Sequence, residues 1–200
     1  GAGMVGISGL AGAGIMWHFL SKYVNLSHTI MLINYALFLM GVVLILGAIF
    51  LGGYAGGWTF LWPLPARGMG LWGPNGAASF VLGLILIGTG FLLFYLDAAI
   101  AITKGYGSIF RGLGLNQLLS GRIDESHPPT VVASCMVIIV NTVDTLTGAV
   151  ILVITLINLY IPEFEINALL AKNMIYFFGH VFINATIYMS VIALYELLPK

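Results

Sequence analysis

Five long apolar runs, at about residues 1–19, 28–51, 78–103, 130–160 and 169–198, set the pattern of the chain. Coiled as helix at about 1.5 Å per residue, runs of this length cross a hydrocarbon layer of about 30 Å. The pattern predicts an all-α, polytopic membrane protein, a single transmembrane domain of five helices. Between the runs the punctuation is clear. Glycine and proline close the second span, from Gly52 through Gly57 to Pro63 and Pro65, and Trp58, Trp62 and Trp72 suit a membrane–water interface. The longest polar stretch, residues 104–129, holds Lys104, Arg111, Arg122, Asp124 and Glu125 and ends on His127, Pro128 and Pro129. A short acidic loop, Pro162 to Glu165, precedes the fifth span.

Polar exceptions inside the spans carry the candidate chemistry. The first span is rich in small residues, among them Gly3, Gly6, Gly9, Gly12 and Gly14, which lets its backbone approach another helix or a flat cofactor closely. His18 and His28 flank the loop after it and read as interfacial. Asp97, about one turn from the end of the third span, reads as a structural cap on a polar cluster. Asp144 lies near the centre of the fourth span, within Asn141-Thr142-Val143-Asp144-Thr145. An unpaired charge there is expensive, so the group is protonated, paired or beside water, in a proton-handling or a structural role. The fifth span places His180, Asn184, Tyr188 and Tyr195 on one helix face, within roughly 80° of one another at about 100° per residue. A polar line on a membrane helix is read as functional by default. On spacing alone, His180 is open between a metal ligand and a satisfied buried histidine.

Composition agrees with the pattern: 60% of residues are hydrophobic and only 7% charged, against about 25% in soluble domains. Seven basic and seven acidic residues give no net charge, and nothing in that balance points to nucleic acid as a partner. Cys135 is the only cysteine, which excludes an intrachain disulfide or a two-cysteine metal site; a small packed core residue is its expected role. Lys22, Lys104, Arg111, Arg122 and Lys200 fall on one side of the predicted topology, and Arg67 and Lys172 on the other. The positive-inside rule then puts loops 20–27 and 104–129 in the cytoplasm. The apolar pattern already runs at Gly1 and stops only at the last residues, so an internal piece of a longer polypeptide is expected.

Two segments resemble a known family. Asn173-Met-Ile-Tyr-Phe-Phe-Gly179-His180 resembles the aromatic–aromatic–Gly–His segment in the sixth helix of subunit I of the haem–copper oxygen reductases, where the histidine binds the active-site copper, Cu(B). Gly57-Trp58-Thr59-Phe-Leu-Trp-Pro63-Leu64 resembles that family's outer loop after its third helix. The likeness is greatest to the B-type branch. It implies helices II–VI of a roughly twelve-helix bundle in a cytochrome c oxidase-like terminal respiratory enzyme. Such an enzyme reduces dioxygen to water at a haem–Cu(B) centre, with proton translocation across a prokaryotic plasma membrane. The implied cofactors are low-spin and high-spin haem and copper. The implied partners are a subunit II, with Cu(A), and a cytochrome c, quinol or small copper protein as electron donor. His180 corresponds to a Cu(B) ligand, and Tyr195, with Tyr188 and Asp144, to a proton-input path. The remaining haem and copper ligands are implied just before Gly1 and beyond Lys200.

The sequence departs from the family at one informative place. A- and B-type oxidases have His-Pro-x-x-Tyr, with the tyrosine cross-linked to the histidine; this chain has Val181 for the proline and Asn184 for the tyrosine. Tyr188 is about 12 Å along the helix from His180, too far to take that tyrosine's place. Nitric oxide reductases of the same superfamily lack the tyrosine and form the alternative reading. A transporter or structural membrane subunit is the alternative from another class.

Overall fold

The computed structural model describes residues 6–57, 68, 70–121 and 127–198, and every described regular element is helical. In chain order they are α1 (Ser8–Leu20), α2 (His28–Phe50), α3 (Pro74–Tyr106), α4 (Ile109–Gly112), α5 (Leu115–Ser120), α6 (Pro129–Tyr160) and α7 (Ala168–Leu197). Four of these, α2, α3, α6 and α7, are long and apolar enough to cross a membrane. Five spans were expected. The described part of α1 has 13 residues, about 20 Å of helix, short of the hydrocarbon thickness. The two short helices α4 and α5 fold within the stretch expected to be only polar loop.

Local chemistry fixes the helix ends. Pro74 and Pro129 occupy the first turns of α3 and α6, where a missing N–H costs nothing. Ser27 caps α2 by accepting from the backbone N–H of Ile30 at 3.3 Å. The Asn167 side chain accepts from the N–H groups of Leu169 and Leu170, both at 3.0 Å, at the start of α7. After α3 the chain turns at Gly107, whose φ of 84° favours a residue without a Cβ.

The chain divides into two compact units. One comprises Ile33–Leu92 with Val143–Phe182. Its central feature is an antiparallel packing of α2 on α3 in which backbone approaches backbone at paired glycines. A Cβ on Gly83 would lie 2.7 Å from the Gly41 carbonyl oxygen, and one on Gly41 would lie 2.5 Å from that of Gly83. A Cβ on Gly90 would meet the Asn34 side-chain oxygen at 2.7 Å, and one on Gly76 the Gly52 oxygen at 2.7 Å. Gly76, Gly83 and Gly90 recur at seven-residue steps, with Gly52, Gly41 and Asn34 opposite them, the close approach that small residues allow a helix pair. Ser79 ties the pair by donating to the Leu44 carbonyl at 3.0 Å. Around it Ala77, Phe80, Val81, Ile151, Leu152, Ala171 and Ile175 form the core, with Tyr54 stacked on Phe80 at 4.4 Å. On the same side of α6 as Ile151 and Leu152, Phe178 fills the space that a side chain at Gly148 would need.

The other unit comprises Gly1–Leu32, Leu93–Thr142 and Ile183–Lys200. Here α1 lies on α7: a Cβ at Gly12 would sit 3.0 Å from the Thr186 carbonyl oxygen and 3.1 Å from Met189 Cβ. Of the two uses open to this glycine-rich span, Gly12 therefore serves helix packing. Cys135 is fully buried and uncrosslinked, against Gly112, which fits the packed core role expected of it. Asp97 accepts from the Ser27 N–H at 2.9 Å, a structural tie at the start of α2.

Candidate functional site on helix α7

The buried side of α7 carries Ala171, Ile175, Gly179, Ala185, Thr186, Met189 and Ile192. His180, Asn184, Tyr188 and Tyr195 lie on the opposite side and are exposed, the two tyrosines by 56% and 51%. Helical periodicity alone produces this division, because the four polar positions fall roughly half a turn from the packed stripe. The imidazole of His180 is one member of a short column. Its ring stacks on that of Tyr176 at 5.6 Å with 28° between planes, and Lys172 Nζ lies 6.0 Å from the Tyr176 ring centre. One-turn spacing places each of these groups above the next and orients the imidazole along the helix surface.

Asp144 does not join this face. It is fully buried, and among the described residues neither carboxyl oxygen has a hydrogen-bond partner. The hydroxyl of its neighbour Thr145 and both amide atoms of Asn34 are likewise buried and without described partners. Buried polar groups are almost always satisfied, so such sites are where water or another polar group belongs.

Two polar arrangements were not anticipated from the sequence. In the first, the Asn141 amide donates to the Tyr95 hydroxyl at 3.1 Å, and that hydroxyl points to Met189 Sδ at 4.0 Å, all fully or almost fully buried. The second centres on Glu196. Tyr23 donates to Oε1 at 2.8 Å, Lys22 pairs with the same oxygen at 3.5 Å, and Thr130 donates to Oε2. The hydrogen bond to Glu196 is the main reason that the Tyr23 phenol is held above its ordinary value of 10.0, with burial and the nearby carboxylate adding to it. A lone acid at the end of an apolar span, with Lys22 in a neighbouring loop, was the available signal.

The other histidines have packing roles. His18 meets Phe19 edge-on at 5.1 Å, and His28 lies 5.9 Å from Trp17. His127 Nε2 is 2.7 Å from the Gly112 carbonyl oxygen. The Gly-Trp-Thr segment, Trp58 to Pro65, and the charged residues Arg67, Arg122, Asp124, Glu125 and Lys200 lie outside the described residues. Among the described residues no three of His, Cys, Asp and Glu are grouped so as to hold a metal ion. His180 is one imidazole on an exposed helix face. A single donor does not hold copper. Comparison with family models, with curated proteins and with solved structures finds no match.

Proposed function

We propose that the chain contributes helices II–VI to subunit I of a haem–copper terminal oxidase, which reduces dioxygen to water and translocates protons. One observation carries the reading: α7 turns His180, Asn184, Tyr188 and Tyr195 away from the packed helices together. Polar and ionisable side chains inside a membrane bundle face an interior or a cavity rather than lipid. The face is therefore suited to line a centre completed by further helices, with Gly179-His180 at the position that the sequence resemblance gives to a Cu(B) ligand. Copper bound there would supply the metal side of oxygen reduction; this chain's part is to hold the imidazole, which the Tyr176 stack orients. Tyr195 and Tyr188 on the same face are the proton-path candidates. Asp144 belongs to that path only through water or a group beyond the described residues. Haem ligands, subunit II and the electron donor lie outside the chain.

Reduced-minus-oxidised spectra of the full-length protein test this directly. Bands of low-spin and high-spin haem are expected, and their absence would sink the oxidoreductase reading in favour of a transporter or structural subunit. Asn184 supports a second reading. It is exposed one turn from His180, where the oxidases place a tyrosine, and two-electron reduction of nitric oxide breaks no O–O bond. Turnover with both gases separates the two: NO consumption with negligible O₂ uptake assigns a nitric oxide reductase.

A further inference from the structure

The chain's zero net charge conceals a local imbalance. From the last turn of α3 onward, residues 104–121 contain Lys104 and Arg111 and no acid; the next acids along the chain are Asp124 and Glu125. Both basic residues are exposed. The same segment is apolar where it should be polar. Helix α5 buries none of its residues although three of the six are leucine. Leu115, Leu118 and Leu119 fall within roughly 100° of one another around the helix, and Asn116 and Ser120 fall on the other side. Leu118 is 70% exposed, Leu119 84%, and Phe110 on α4 66%. A six-residue helix has too few bonds to persist alone in water, where helices below about twelve residues are marginal.

The backbone around this apolar face is pinned. Gly112 is buried so closely that a Cβ on it would lie 2.8 Å from Cys135 Sγ and from Ile102 Cγ2. His127 reaches the Gly112 carbonyl and meets Tyr106 edge-on at 5.5 Å. Ser108 accepts from the Arg111 N–H at 3.1 Å. These ties hold the segment beside Tyr106 and Pro129, the ends of two membrane-crossing helices, and leave Phe110, Leu118 and Leu119 facing away. Connectivity alone therefore keeps it at the bilayer surface.

We infer that Lys104–Gly121 is an interfacial anchor, in which Leu118, Leu119 and Phe110 enter the headgroup–acyl boundary and Lys104 and Arg111 meet anionic lipid headgroups. An apolar face beside cationic residues is the pattern of segments that lie in the interface plane and respond to anionic lipid. The anchor is independent of the redox chemistry proposed above and needs only that α3 and α6 cross a bilayer.

Nitroxide labels on L118C and N116C in the full-length protein, reconstituted in nanodiscs, test it; the native Cys135 is fully buried and does not compete. The label at 118 is expected to be relaxed strongly by oxygen and weakly by a water-soluble nickel chelate, and the label at 116 the reverse. Replacing part of the phosphatidylcholine with phosphatidylglycerol should slow the 118 label, and the K104Q/R111Q pair should abolish that response. A 118 label open to nickel overturns the anchor, as does one closed to both reagents, which would mean that protein covers the face. An unchanged lipid response in K104Q/R111Q overturns the headgroup contact.

Discussion

Glu196 gathers Lys22, Tyr23 and Thr130 around one carboxylate whose side chain is only 14% exposed. Hydrogen bonds to a charged, largely buried group contribute about 1.5–3 kcal/mol each, so Glu196→Ala, which strands the buried Thr130 hydroxyl, should cost about 2–3 kcal/mol in a thermal melt in detergent. Lys22, about half exposed, should matter less: Lys22→Ala is expected to cost below about 1 kcal/mol. The sign of the pH effect follows from Tyr23. Its folded-state phenol holds its proton above the ordinary 10.0, so the stabilisation is present below that value and lost as pH rises through the folded value. Melting temperature should therefore fall as pH rises above about 10, and Tyr23→Phe should flatten part of that fall. An identical slope in the variant would remove Tyr23 as its source. The common face of His180 and Asn184 was legible because neighbours on one helix face follow from spacing; that it turns away from the described helices was not. The Glu196 knot was not, because its partners are 173 and 66 residues away along the chain.

Helix by helix, the apolar runs marked the elements to within a few residues: spans at 28–51, 130–160 and 169–198 became His28–Phe50, Pro129–Tyr160 and Ala168–Leu197. The third grew at both ends to Pro74–Tyr106, since Pro74 starts a helix well and glycine in a membrane span packs rather than breaks. Helices α4 and α5 were hidden because a hydropathy window averages three leucines with their polar neighbours. The glycine steps at 76, 83 and 90 are visible in the sequence, but the helix that they meet is not. Their effect is measurable. Gly83→Ala puts a methyl 2.7 Å from a carbonyl oxygen that cannot retreat and should destabilise by about 1–3 kcal/mol. Gly47→Ala, with nothing within 4 Å, should be neutral or slightly stabilising. Equal melting temperatures for the two would refute a close α2–α3 pair.

For the whole molecule, apolar side chains remain exposed along all four long helices, Val43, Ile100, Val153 and Leu194 among them. Lipid or further helices must cover them, and the proposed oxidase bundle distinguishes which. A cysteine at Tyr188 should resist a lipid-soluble maleimide in the assembled full-length protein, because other helices cover that face, whereas one at Val43 reports ordinary lipid exposure. Rapid labelling at 188 would place the polar line of α7 against lipid and undo the proposed site. Composition made the membrane class legible. The second family segment, Trp58 to Pro65, lies outside the described residues, so the family reading rests on α7 and the sequence.

The even spacing of the α3 glycines has a consequence for assembly. Sliding α3 by seven residues along α2, about 10.5 Å, would set Gly90 against Gly41 and Gly83 against Ala48, again small residue on small. At Gly41 the shifted setting is as close as the native one, but it brings Asp97 opposite Asn34, where Gly90 now leaves room. The rest of the choice falls to contacts that do not repeat: Tyr54 on Phe80, Ser79 on Leu44 and Asp97 under Ser27. Weakening those three together should yield misregistered hairpins that still insert, and still pack, one notch out of place.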